Sequence, residues 1–202
     1  MIDDKLQQKL EEACWAAHTL FARNKATGSS ANMSFRHGEH IFITASGTCF
    51  GRLQPEDFTE LDMEGNIVAG RKPSKEFPLH HGFYQKSDKI GAVIHTHSYY
   101  GTLWSCLKHD NPKDIVPRYT PYLKMKVGTV GIVPYASPGS QELFDAFGKA
   151  INASDAFLLA NHGPVVPGKS VLDAFYGLEE LEESCRIAWE AEGDPARLNK
   201  IE

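Results

Sequence analysis

The chain lacks the features that would place it in a membrane, outside the cell or on a nucleic acid. Nowhere in its 202 residues is there a run near the roughly 18 consecutive apolar residues that a spanning helix needs. Its start, MIDDKLQQKLEEACWAAHTLFARN, is acidic and amphipathic with no continuous apolar core, so it does not read as a secretory signal. Positive charge is not in excess: 21 Lys and Arg stand against 26 Asp and Glu, a net charge of −5. A broad nucleic-acid surface is therefore not expected, although a few local donors can still hold a small anion. Cysteine is sparse and scattered at Cys14, Cys49, Cys106 and Cys185, with no C-x-x-C pair. Free, buried thiols in a reducing cytoplasm are the expectation. There is no repeat, no low-complexity tract and no linker, so residues 1–202 are read as one domain.

What is present is an alternation of helical and extended patterns. Leu6, Leu10, Ala13, Ala17, Leu20 and Phe21 recur at helical spacing and predict a helix over about 4–23. Residues 32–36 and 41–44 read as a hairpin about His37-Gly38-Glu39-His40, and 61–63 with 67–70 as a second about Glu64-Gly65-Asn66. Residues 55–60 suggest a helical turn. Further helices are expected over 76–87, 99–107, 141–151 and 170–191, the last capped by Ser170 with Asp173. Buried strands are expected over 92–97, 130–135 and 157–162, while 108–128, with its three prolines, reads as irregular. Glu179 to Glu183 reads as a solvated helix face, and the stretch from Gly193 as loosely packed and able to close over a neighbouring site. Because several strands come as hairpins, the expected architecture is an α/β domain whose central mixed, largely antiparallel sheet is flanked by helices.

Two buried strands end in histidine. His95 and His97 stand two apart, so on a strand both side chains point to one face. His162 follows the apolar run from Phe157 to Ala160 and precedes Gly163. Three neutral imidazoles suit zinc and leave a coordination position open, and no cysteine lies near them in sequence, which favours a catalytic over a structural ion. H-x-H alone more often marks a satisfied polar pair at a strand end, and the separate Asn161-His162-Gly163 after a buried strand strengthens the metal reading. His18, His37, His40 and His109 fall at expected surface positions. His80, one turn after Glu76, is within reach of the site but is ranked as structural, and His81 has no assigned role.

From Thr27 to about Glu183 the chain resembles the class II aldolase/adducin family. The matching pieces, in order, are T-G-S-S-A-N-M-S at 27–34, I-T-A-S-G-T at 43–48, K-P-S-K-E at 72–76, H-T-H at 95–97, V-P-Y at 133–135 and N-H-G at 161–163. The resemblance implies that His95, His97 and His162 hold zinc, with manganese or cobalt as the alternatives. It implies that Glu76 is the acid/base carboxylate and can also lie on the metal before substrate arrives. It implies a phosphate pocket from Asn32, Ser46, Gly47 and Ser74, and a proton-donating tyrosine from a neighbouring subunit of a homotetramer. Tyr119 and Tyr122 are the candidates, and Tyr122 is preferred. Lys75 departs from the family's sugar-phosphate aldolases, which usually have serine there, and adds a charge suited to a second anionic group.

Several segments, among them K-P-S-K-E and F-L-L-A-N-H-G-P-V-V, are similar to the branch of that family that decarboxylates 3-oxo-tetronate 4-phosphates. This similarity implies zinc-dependent loss of carbon dioxide through a metal-stabilised enediolate to give dihydroxyacetone phosphate. The alternatives are a sugar-phosphate aldolase of the L-fuculose-phosphate type, an epimerase, and a non-catalytic scaffold like the adducin head. The expected partner is a small phosphorylated sugar acid or ketose, with no nucleic acid and no membrane.

Overall fold

The computed structural model describes residues 3–192. Its elements follow the periodicities of the sequence. Helix α1 spans Asp4–Ala22, with the Asp3 carboxylate accepting from Leu6 N at 2.7 Å as its cap. Strands β1 (Asn32–His37) and β2 (His40–Thr44) form the first hairpin, and β3 (Phe58–Asp62) and β4 (Ile67–Ala69) extend it. Helix α2 (Phe77–Lys86) precedes β5 (Ala92–His95), followed by α3 (Tyr99–Ser105), α4 (Tyr122–Lys126), β6 (Val130–Val133), α5 (Gln141–Ala150), β7 (Ala156–Leu159), β8 (Gly163–Gly168) and α6 (Val171–Glu192). Ser170 caps α6 as expected: its hydroxyl accepts from Asp173 N at 3.1 Å and donates to the Asp173 carboxylate at 3.0 Å.

All eight strands lie in one sheet in the order β4-β3-β2-β1-β5-β8-β7-β6. Only β6 and β7 run parallel, joined through α5. Every other pairing is antiparallel, so the expected mixed, largely antiparallel sheet is what forms. The strands alternate strictly between two cores. Met33, Phe35, Ala92, Ile94, Ala156, Leu158 and Val166 join the apolar layer with α1 and α6, while Ile41, Ile43, Val93, Phe157, Leu159 and Val165 face α2 and α5. A period of two thus assigns His95 to the α2 face, the same face as Asn32 and Ser34 of β1.

Four expectations are corrected. No element is expected over 163–168, where two glycines and two prolines interrupt any strand pattern, yet β8 forms there and sits between β5 and β7. The proline carbonyls still accept: Pro164 O takes Thr96 N at 3.3 Å. The segment 108–128 is not wholly irregular, since α4 forms over its last part, started by Pro121 at the capping position. Residues 55–57 make a short 3₁₀ turn, but Phe58 already begins β3. Glu182 is not solvated. It is buried, and its carboxylate accepts from Tyr100 N at 3.0 Å and Gly101 N at 2.7 Å at the start of α3, with Lys25 Nζ at 3.7 Å. The four thiols are free, Cys14 and Cys185 buried and Cys49 and Cys106 half-buried. The expected C-terminal closure from Gly193 lies outside the described residues. Among the described residues, no helix is long and apolar enough to cross a membrane.

Candidate metal centre and anion cavity

Three histidines meet where β5 and β7 end. His95 is the last residue of β5, His97 lies just beyond it, and His162 sits in the turn between β7 and β8. That turn is tight. Asn161 takes φ +55°, which asparagine tolerates, and Gly163 takes φ +152° so close to the β5 end that a Cβ there would lie 2.4 Å from Thr96 O. Any side chain at Gly163 would force the two histidine-bearing segments apart. The ring centroids are 5.1 Å apart for His95 and His97, 4.8 Å for His95 and His162, and 4.7 Å for His97 and His162.

The donor chemistry fits a metal ion. One ligand nitrogen from each ring lies within 4.8 Å of the others. An ion roughly 2.0–2.1 Å from each nitrogen closes such a spacing with small side-chain rotations. His95 Nδ1 is 2.8 Å from Pro164 O, and a carbonyl only accepts, so Nδ1 carries the proton and Nε2 presents its lone pair. His95 Nε2, His97 Nε2 and both ring nitrogens of His162 are buried with no hydrogen-bond partner. Buried polar atoms are ordinarily paired, so this cluster of orphans calls for a ligand. Burial, reinforced by His97, holds the His95 imidazole down at about 3. Burial also lowers His162 and His97, in the latter against the pull of Glu76. The rings are therefore neutral at physiological pH, the form a metal binds.

Glu76 occupies the capping position of α2, but its side chain does not cap the helix. It turns instead into the histidines, with Oε2 at 3.4 Å from His95 Nε2 and Oε1 at 3.4 Å from His162 Nε2. Asn32 Nδ2 donates to Oε2 at 2.9 Å. The register of β1 on β5 places Asn32 directly opposite His95, which explains this contact.

A cavity of about 240 Å³ opens over this centre. Asn32, Ser46, Gly47, Ser74, Lys75, Glu76, His97 and His162 all line it, so the structure brings together every residue expected of the anion pocket. Two loops are laced to form it: Ser46 N donates to Lys72 O at 2.9 Å and Ser74 N to Thr44 O at 3.1 Å. Lys75 is exposed at the rim, its ammonium donating to Pro138 O at 3.1 Å. Its stem lies on Gly139, where a Cβ would approach Lys75 Cδ to 2.6 Å. Neither Tyr119 nor Tyr122 is among the lining residues; both are exposed, and the Tyr119 hydroxyl donates to Glu192. A larger and mostly apolar cavity of about 980 Å³ lies between β6 and α5, with none of the three histidines in its wall.

His80, ranked as structural though one turn from Glu76, is joined by Ser34 and Tyr84, which no sequence motif singles out. All three are buried behind Glu76 and Asn32, and His80 Nε2 lies 2.6 Å from Asn32 Oδ1. The available signals were faint: His80 stands four residues after Glu76 on one helical face, and Ser34 two after Asn32 on one strand face.

Comparison with known proteins points to one family. The family model of the Class II Aldolase and Adducin N-terminal domain matches residues 11–189. A 3-oxo-tetronate 4-phosphate decarboxylase of Haemophilus influenzae is 38% identical over 180 residues, 89% of this chain and 86% of that protein. An L-fuculose phosphate aldolase of Methanococcus maripaludis is 36% identical over 170 residues, 84% of this chain and 90% of the relative. The solved structure of YgbL from Klebsiella pneumoniae superposes with a TM-score of 0.88 at 38% identity, over 93% of this chain and 91% of the other.

Proposed function

Because the chain belongs to the class II aldolase and adducin family, we propose that it is a zinc-dependent lyase that decarboxylates a 3-oxo-tetronate 4-phosphate to dihydroxyacetone phosphate and carbon dioxide. The observation that carries this reading is the set of partnerless, neutral imidazole nitrogens of His95, His97 and His162 with Glu76 wedged between them, beneath a cavity of anion donors.

The substrate is a 3-oxo acid with a hydroxyl on C2. Breaking the C1–C2 bond releases carbon dioxide and leaves an electron pair that delocalises into the C3 carbonyl as an enediolate. His95, His97 and His162 would hold a divalent ion, which would supply Lewis acidity to stabilise the negative charge that develops on the substrate. Glu76, whose carboxylate oxygens lie 3.4 Å from two of the imidazoles, would take up a proton from solvent and deliver it to C2, where the departing carboxyl group leaves its electron pair. Asn32, Ser46, Gly47 and Ser74 hold the phosphate through amide, hydroxyl and backbone donors. Lys75, the one cation lining the cavity among the described residues, pairs with the substrate carboxylate or the phosphate. We assign Tyr122 of a neighbouring copy as a second proton donor in a homotetramer. The exposure of Tyr119, Tyr122 and Met125 along one segment supports this assignment. The four free thiols support a cytoplasmic location.

The Methanococcus relative favours a second reading, aldol cleavage of a ketose phosphate, which passes through the same enediolate. A coupled assay for dihydroxyacetone phosphate and carbon dioxide, with and without chelator, separates the two. Both products, lost on chelation, are expected. No carbon dioxide from metal-loaded protein would move the assignment to aldol cleavage.

A further inference from the structure

Behind Glu76 runs a buried chain of hydrogen bonds whose direction can be worked out atom by atom. Glu76, as a carboxylate, can only accept, so it is the amide nitrogen of Asn32 that faces it, at 2.9 Å. The Asn32 amide oxygen therefore faces His80 Nε2 at 2.6 Å. An amide oxygen has no proton to give, so Nε2 carries the hydrogen. Complete burial keeps His80 neutral, its imidazole pushed down to about 3, so Nδ1 holds a lone pair and accepts from the Ser34 hydroxyl at 2.8 Å. Ser34 has then used its only proton and accepts from the Tyr84 hydroxyl at 2.7 Å. Every donor points toward Glu76. Asn32, Ser34, His80 and Tyr84 are each 5% exposed or less, so bulk water does not compete for these bonds.

We propose that His80 and Ser34 are positioning residues for the reaction: they lock the Asn32 carboxamide in one orientation, with one N–H on Glu76 and the other left for the anion cavity. This rests on the reading of Glu76 as the acid/base group of that site. Without the His80 donor, Asn32 is held only at its Glu76 end, and its carboxamide plane can swing so that the N–H no longer points squarely at the carboxylate. The reason to hold four polar side chains between a strand and a helix is therefore the setting of that amide. A core that needed only stability would be served as well by apolar groups of the same shape.

Nitrogen-15 NMR of the full chain tests the chain of bonds without any substrate. The His80 ring is expected as the Nε2–H tautomer, with the Asn32 side-chain amide protected from exchange. In Ser34→Ala the ring should lose that single tautomer and the amide its protection. A ring in the Nδ1–H form, or an Asn32 amide indifferent to Ser34→Ala, overturns the inference. Kinetics supply the second arm. His80→Leu should lower kcat about tenfold, the loss expected when one hydrogen bond to a charged group is misplaced. His80→Gln, whose amide can still donate to Asn32, should recover to within about threefold. Both variants should keep the metal content of the parent. Equal loss in Gln and Leu variants that are folded and metal-loaded would also overturn it. Should His80→Leu not fold, Ser34→Ala and the NMR arm decide alone. A parent protein that releases no carbon dioxide yet shows the Nε2–H tautomer and the protected amide would sink the substrate reading and support this one.

Discussion

Two glutamates are buried among the described residues, and their surroundings differ in a way that separates scaffold from site. Glu182 on α6 is satisfied entirely by the chain: two backbone N–H groups at the start of α3 bond to its oxygens, and Lys25 stands at 3.7 Å. Glu76 has one clear donor, Asn32, and beyond it imidazole nitrogens that themselves lack partners. A buried charge is tolerated only when paired, so the first arrangement is complete, and the second is left open beside a group of histidines that could hold a metal ion. Residue type and depth of burial are alike. What distinguishes the two is whether the neighbours are in turn satisfied.

The sharpest way to break this contrast is to remove a ligand. His162→Ala should lose stoichiometric metal and at least a thousandfold in kcat/KM, read by metal analysis and steady-state kinetics. Glu76→Gln should lose roughly a hundredfold or more in kcat while keeping its metal, since the histidines alone offer three nitrogens. Glu182→Gln should do the reverse. It retains metal and most activity but unfolds at lower denaturant, by about 2 kcal/mol, because a helix start loses its charged cap. A Glu182 variant that lost metal would erase the distinction.

Acid provides a finer probe. His80 and His95 titrate near 3 in the fold, because of burial, against an ordinary 6.5. The unfolded chain therefore binds more protons between those values, and stability must rise with pH across that window and fall as pH is lowered through it. Chelated protein should lose about 1.4 kcal/mol for each such histidine per pH unit below 6.5, measured by urea unfolding at pH 7.0 and 5.5. A flat profile would mean these rings are charged or solvated in the fold. The smallest effect is expected at the rim: Lys75→Ser should raise KM for the acid substrate several-fold with metal content unchanged, as befits an exposed ion pair.

Much of this was legible in the linear chain, and the reasons are specific. Alternation placed His95 on a definite face of β5, and the buried run before His162 marked a second strand aimed at the same place. Strand β8 was not legible, because two prolines and two glycines interrupt any strand pattern. Only the pairing with β5 and β7 shows that its carbonyls are used where its missing N–H groups are not needed. Glu182 was misread because an acidic run on a helix looks solvated until the start of α3 is found packed against it. Asn32 was read only as an anion donor. The structure adds a tie to Glu76 and His80, residues distant in sequence that the β1–β5 register and the start of α2 bring together.

The sequence by itself determined the chemistry available to this protein: three imidazoles, one carboxylate, a ring of small donors and a single lysine, at spacings that put their side chains on chosen faces. Those properties follow from residue identity and from the two backbone periods, both local. Tertiary structure alone decided which atoms are satisfied and which are left open, and in which direction each hydrogen bond points. A donor has meaning only against the acceptor it meets. In this protein those meetings join β1 to α2, β5 to β8 and α6 to α3 across the whole chain.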